Sequence, residues 1–223
     1  MRKSFLKYLT VIIGFYFLSL GVDLFIKSSL GATPISCVNY ILSLHTPLTL
    51  GMATFVFNLT LIVIEFALIR GIGTRRDKVE ILLQLPFSLI LGLFMDLNMW
   101  LLSGVTVTTY SGAVMMMLAG CLVQALGVVL ELKPNVAIMS AEGVVKYSAR
   151  RFGKEFGKTK VAFDVTLVTT AAILSFVLSG QIEGLREGTV VAAFCTGLLV
   201  TLYIRYIFTP ERIRHIMTLC RAK

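Results

Sequence analysis

LGVDLFIK at residues 20–27 recurs, with substitutions, as LGVVLELK at residues 126–133, and this recurrence decides how the rest of the chain reads. Leu20, Gly21 and Val22 match Leu126, Gly127 and Val128, and Lys27 matches Lys133, each pair 106 residues apart. The same spacing joins Gly51 to Gly157, Phe57-Asn58 to Phe163-Asp164 and Thr60-Leu61 to Thr166-Leu167; Gly92 and Gly197 follow at 105. Apolar residues match cheaply, so the glycine, lysine, Asn/Asp and threonine pairs carry the weight. A fixed offset held over tens of residues marks an internal duplication.

The composition says what is duplicated. Of 223 residues, 57% are hydrophobic and 15% charged, with a mean hydropathy of +0.86. Soluble domains carry about 25% charged residues, so this chain has too few polar groups to cover a water-facing surface. Lipid is its solvent. About 20 apolar residues cross a bilayer, and the sequence predicts six such helices at 6–26, 51–69, 79–102, 112–132, 158–179 and 187–208. Pro86 predicts a kink in the third, and Trp100 near its end suits a headgroup anchor. The first segment resembles a secretory signal, but no small-x-small cleavage site follows, and its match to a later helix reads it as retained.

A net charge of +9 raises the question of nucleic acid. The cations, however, sit in short runs between apolar segments, at Arg2, Lys3 and Lys7, at Arg70, Arg75, Arg76 and Lys78, at Lys146, Arg150, Arg151 and Lys154, and at Arg205, Arg212, Arg214 and Arg221. No nucleic-acid motif accompanies them. Placed on one side of the membrane they satisfy the positive-inside rule at every loop, which predicts both termini on the inside. Cys37, Cys121, Cys195 and Cys220 are scattered and suggest neither a disulfide framework nor a metal site. No cofactor is expected.

Three spans per half is an odd number, so the second half begins from the opposite side. The fold expected is therefore an all-α integral membrane protein of two inverted three-helix repeats, 1–103 and 104–223, the second with a short basic tail. Between the first and second helix of each repeat lies a segment that is amphipathic or re-entrant. In PNVAIMSAEGVVKYSARRF, opened by Pro134, residues Ala137, Ile138, Ala141, Val144, Val145 and Ser148 form one stripe. Glu142, Lys146 and Arg150 lie four apart on the other. The earlier segment, GATPISCVNYILSL, starts similarly after Pro34.

Charges inside spans are costly and mark pathways or structural pairs. Asp164 is the deepest, with Lys160 one turn before it and Asn58 as its repeat partner. Glu65 lies within reach of Arg70, Arg75 or Arg76, while Asp23, Asp96 and Glu131 lie toward span ends, where snorkelling or local pairing is expected. Arg186, Glu187 and Thr189, with Gly188, predict a capped helix start beside an outer cavity.

FGKTKVAFDVTLV, GLREGTVVAAFCTGLLV, NVAIMSAEGVVKY and LGATPIS resemble the bacterial YczE/YyaS/YitT group of small membrane proteins. The motif residues are Glu142, Gly157, Lys160, Asp164, Arg186, Glu187, Gly188, Thr189 and Gly197. The resemblance implies a bacterial inner-membrane protein and supplies no substrate.

Inverted repeats with Pro-marked broken segments recur in secondary transporters. The first expectation is thus a secondary transporter or exporter of an unidentified small solute, with Asp164 as coupling or binding carboxylate, Lys160 tuning it and Asn58 facing it. Arg186, Glu187 and Thr189 would line the outer mouth, and Glu142 joins the pathway. The alternative is a non-transporting accessory, sensor or assembly protein acting through the basic helix at 134–152. An enzyme is not expected, because HExxH, GxSxG and GxGD sequences are absent and His45 and His215 stand near no nucleophile. The partners expected are the lipid bilayer and the solute, with no nucleic acid, and the architecture admits a homodimer.

Overall fold

A computed structural model describes residues 2–134 and 138–207. Among these residues every regular element is a helix, without a strand. The elements are α1 (Arg2–Lys27), α2 (Cys37–His45), α3 (Leu50–Leu68), α4 (Arg75–Leu101), α5 (Tyr110–Leu132), α6 (Ser140–Phe152), α7 (Phe156–Ser179) and α8 (Glu187–Leu202), the last running into a π-helical turn, Tyr203–Ile207. Six of them, all but α2 and α6, are long and apolar enough to cross a membrane. α3 has 19 residues, which at 1.5 Å each is about 28 Å, close to the hydrocarbon thickness; α8 reaches the same length with its π-helical turn. Arg212, Arg214, Cys220 and Arg221, predicted as part of an inner tail, lie outside the described residues, as does His215.

Local chemistry sets the helix ends. Thr49, Thr74 and Thr109 each accept a bond from an amide in the first turn of α3, α4 and α5, the last from Gly112. Thr74 and Asp77 form a reciprocal capping box, which satisfies two otherwise orphaned donors. α6 and α7 stop at Gly153 and Gly180, whose φ values of 61° and 70° suit the left-handed cap that glycine adopts without strain. Helix α4 stays continuous through Pro86.

The centre of the bundle is α1 on α5. Gly14 lies against Gly127 and Glu131, Gly21 against Gln124, and Gly120 against Gly21 and Phe25, so numbers rise along one helix as they fall along the other. The pair is antiparallel. A Cβ on Gly120 would stand 2.8 Å from the Gly21 carbonyl oxygen and one on Gly14 3.1 Å from that of Gly127; small residues let the two backbones approach, as lipid-embedded helices require. α4 runs parallel to α1, with Tyr16 edge-on to Phe94 and Asn98 bonded to Ser19, and α8 takes the corresponding place beside α5.

The short helices fill the space between these pairs. α2 packs on α3 and α7, and α6 packs on α7 and α3. Cys37, at the start of α2, reaches the carbonyl of Leu167 halfway along α7, while His45 at the other end bonds Glu183 in the α7–α8 loop. Ala141 and Val144, near the start of α6, pack with Phe57 and Leu61 halfway along α3. The far end of α6 is pinned where Arg151 bonds the carbonyls of Leu68 and Arg70. Each short helix thus begins near mid-span and leaves toward one end of the bundle, the two in opposite directions.

Two expectations about α6 are corrected here. The helix starts at Ser140 and not at Pro134, which sits in the turn closing α5. The start is held by the Met139 amide donating to Glu131. The charged face set against the apolar one is present, but its cations pair with α4 and not with Glu142 along the helix. Ser140, Ala141, Gly143, Val144, Val145, Tyr147 and Ala149 are all buried, Lys146 donates to Glu80 at 2.7 Å and Arg150 to Asp77 at 3.0 Å. The cations reach across to α4, where Glu80 and Asp77 offer carboxylates, while staying partly exposed.

One difference between the two halves stands out: α3 lies along α4, whereas among the described residues α7 has no comparable packing along α8. Gly51 meets the backbone of Gly92, and Asp96 seals the junction by accepting from the Gly51 amide at 2.8 Å and from Thr49 Oγ1 at 2.7 Å. At the corresponding glycines, Gly157 and Gly197, a Cβ would meet nothing within 4 Å.

Candidate functional site

The starts of α2 and α6 bring polar groups to the middle of α3 and α7. On α7, Lys160 donates to Asp164 at 2.7 Å, and both side chains keep 27% of their surface exposed. Ion pairs one turn apart with this residual exposure retain part of their hydration and stay accessible to another ligand. On α3, Thr54 and Asn58 stand 106 residues before Lys160 and Asp164. Both are buried, and Thr54 Oγ1 and Asn58 Nδ2 have no hydrogen-bond partner. Buried polar atoms are ordinarily satisfied, and orphans mark strain, a water or a ligand position.

Glu142, in the first turn of α6, is half-buried within electrostatic reach of Lys160, Asp164 and Glu131. Burial pushes its carboxyl above the usual carboxylate range; the Lys160 ammonium pulls it back down and Asp164 pushes it up again. Ser140 beside it is fully buried with an unpartnered hydroxyl. Cys37 opens α2 with its thiol on the Pro34 carbonyl at 2.8 Å, near Asp164. The arrangement joins two helix starts, whose amides favour negative charge, to the carboxyl groups of Glu142 and Asp164 and the Lys160 ammonium.

Asn58 and Asp164 do not meet as expected. No hydrogen bond joins them, and α2 and α6 both pack between the helices that carry them. The sequence missed Thr54 and Ser140; Thr54 was within reach, since it stands at the repeat offset from Lys160.

The Arg186 group occupies a different place. Arg186 Nη1 bonds the Ser29 carbonyl at 3.0 Å, the Gly188 amide bonds that of Leu30 at 3.0 Å, and the Ala32 amide bonds that of Gly184 at 2.9 Å. Thr189 is buried and closes the helix start with Arg186, while Glu187 stays half-exposed 3.6 Å from the guanidinium. These bonds tie the α7–α8 loop over the α1–α2 turn, a clasp rather than a lining of side chains free to receive a solute.

Of the carboxylates expected near span ends, Asp96 is partly exposed and locally bonded, but the other three are not at the surface. Asp23 and Glu65 are fully buried and Glu131 is 4% exposed. Glu65 accepts from Gln84 at 3.0 Å, against the Gly143 backbone, and not from an arginine. Snorkelling fails because each carboxylate faces another helix and not lipid. No cluster of three His, Cys, Asp or Glu suited to a metal occurs among the described residues.

Residues 5–205 match a family of unknown function (DUF6198). No curated protein and no solved structure matches the chain.

Proposed function

The chain belongs to the DUF6198 family, and from that premise we propose that it is a secondary transporter of a small solute, built as two inverted repeats that exchange conformations. The observation that carries this reading is the main contact by which the halves differ. α1 to α4 and α5 to α8 repeat one order of long, short, long and long helix. α1 with α4 answers to α5 with α8, α3 with α6 to α7 with α2, and α2 with α3 to α6 with α7. The antiparallel crossing of α1 and α5 is what an axis in the membrane plane requires. Against that agreement, α3 is closed on α4 and α7 is open from α8.

In a carrier of this architecture the halves adopt two conformations at once and trade them to change access. With the N-terminus inside, the closed Gly51–Gly92 junction lies toward the outside and the open Gly157–Gly197 gap toward the inside. The state described is then inward-facing, with the Arg186 clasp shutting the outer side. Glu142, Lys160 and Asp164 would bind solute or coupling ion, and Asn58 and Thr54 would complete the site when α3 moves.

The test is reconstitution in proteoliposomes with a panel of labelled amino acids, sugars and organic acids. Uptake lost in Asp164→Asn and kept in Asp164→Glu supports the role of the carboxylate; equal uptake in wild type and both variants removes it. The accessory reading needs a free basic helix face, whereas Lys146, Arg150 and Arg151, though partly exposed, are each bonded to α3, α4 or the turn between them. The narrower likeness to the YczE/YyaS/YitT group and the bacterial inner-membrane location belong to this proposal.

A further inference from the structure

Asp23 is the most anomalous carboxylate in the bundle. It is fully buried on α1, and neither of its oxygens has a hydrogen-bond partner. One turn earlier on the same helix, Ser19 accepts from Asn98 Nδ2 at 2.9 Å, which leaves the Asn98 carbonyl oxygen, also fully buried, without a donor. The α1–α4 seam therefore holds three acceptor oxygens and no donor to meet them. Two other charges act on Asp23: Asp96 on α4, of like sign, and Lys27 one turn further along α1, which makes no ion pair with it. A bare carboxylate in such a place is untenable, because neither water nor a paired charge compensates its lost hydration.

We propose that Asp23 is a binding site for a small monovalent cation, a proton or Na+, seated between α1 and α4 near the Asn98 carbonyl oxygen. Hard cations take oxygen ligands, carboxylate and amide carbonyl among them, and a proton turns the carboxyl into a donor for one of the idle acceptors. Either occupant removes the charge. The site is apart from the Glu142–Lys160–Asp164 group, and it stands whether or not the chain transports. α4 also carries Gly92 and Asp96 of the closed junction, so a cation held here bears on that junction.

Infrared difference spectra of the full chain in membranes test this, comparing wild type with Asp23→Asn at neutral pH in K+ and in Na+ buffers. A protonated-carboxyl band present in wild type and absent from the variant identifies the proton as occupant. Loss of that band on adding Na+, or thermal stabilisation by Na+ in wild type alone, identifies Na+. Asn98→Ala, which keeps the carboxyl, should shift the band and guards against a variant that fails to fold. No Asp23-dependent band in either buffer, together with identical stability in K+ and Na+, would overturn the site.

Discussion

Gly51 and Gly92 lie backbone against backbone where α3 crosses α4, so close that a Cβ on Gly92 would stand 2.8 Å from the Gly51 carbonyl oxygen. Any side chain there must force the helices apart. The same substitution at Gly197 meets nothing.

That contrast gives the first prediction. Gly92→Val should destabilise the protein by about 1–3 kcal/mol, the ordinary cost of overpacking, seen as a lower unfolding temperature in detergent. Gly197→Val should leave stability within about 0.5 kcal/mol and yet abolish transport, because it blocks α7 from closing. Full transport by a stable Gly197→Val protein would contradict the exchange of conformations.

Asp96 should act as a removable latch. Asp96→Ala strips the Thr49 hydroxyl and the Gly51 amide of their acceptor, and loss of a cap costs about 1 kcal/mol. At the repeat offsets, Glu155 stands for Thr49 and Thr201 for Asp96, so the hydroxyl–carboxylate pair is kept with its ends exchanged. Glu155 now pairs with Lys158 and Thr201 bonds the Gly197 carbonyl. Glu155→Gln with Thr201→Val should therefore leave thermal stability unchanged while slowing turnover, which a stopped-flow uptake assay would read.

The pH response of Glu142 has a definite sign. Its carboxyl titrates above the usual range in the folded protein, chiefly through burial. The stability of its protonated form is therefore full below the unfolded value and is lost as pH rises through the folded one. Glu142→Gln should match wild type in acid and exceed it at neutral pH, each kcal/mol appearing as about 2–4 °C. Lys160→Met removes the ammonium that pulls the carboxyl down, so the loss should continue to higher pH. Parallel stability–pH curves for wild type and Glu142→Gln would contradict this.

Charge reversal separates the transporter from the accessory reading. Lys146→Glu alone should weaken the packing of α6 on α4 by at most about 1 kcal/mol, since exposed and half-exposed pairs contribute little. Adding Glu80→Lys should restore both stability and function if the pair only holds α6 in place. If the basic helix docks on a partner or on anionic lipid, the doubly reversed protein regains stability and stays inactive in a complementation assay.

Much of the fold was legible because lipid permits few alternatives. The six long helices follow from apolar runs of span length, and the repeat offset paired Asn58 with Asp164 and Gly51 with Gly157 without any structure. What the sequence hid was depth and direction. The pattern of α6 reads as a surface helix because Lys146 and Arg150 look solvated, and their partners Glu80 and Asp77 are some seventy residues away. Asp23, Glu65 and Glu131 read as end charges because position along a span does not tell whether a side chain faces lipid or another helix. The Lys160–Asp164 pair, local to one helix turn, was readable.

The central claim is that α7 closes on α8 in a second state, and the direct measurement is the distance between spin labels on the lipid-exposed residues Val161 and Phe194, with the four native cysteines replaced. Pulsed electron resonance in nanodiscs should show two populations, a longer one matching the open gap and a shorter one whose share changes with pH or Na+. A single long distance under every condition would contradict the account.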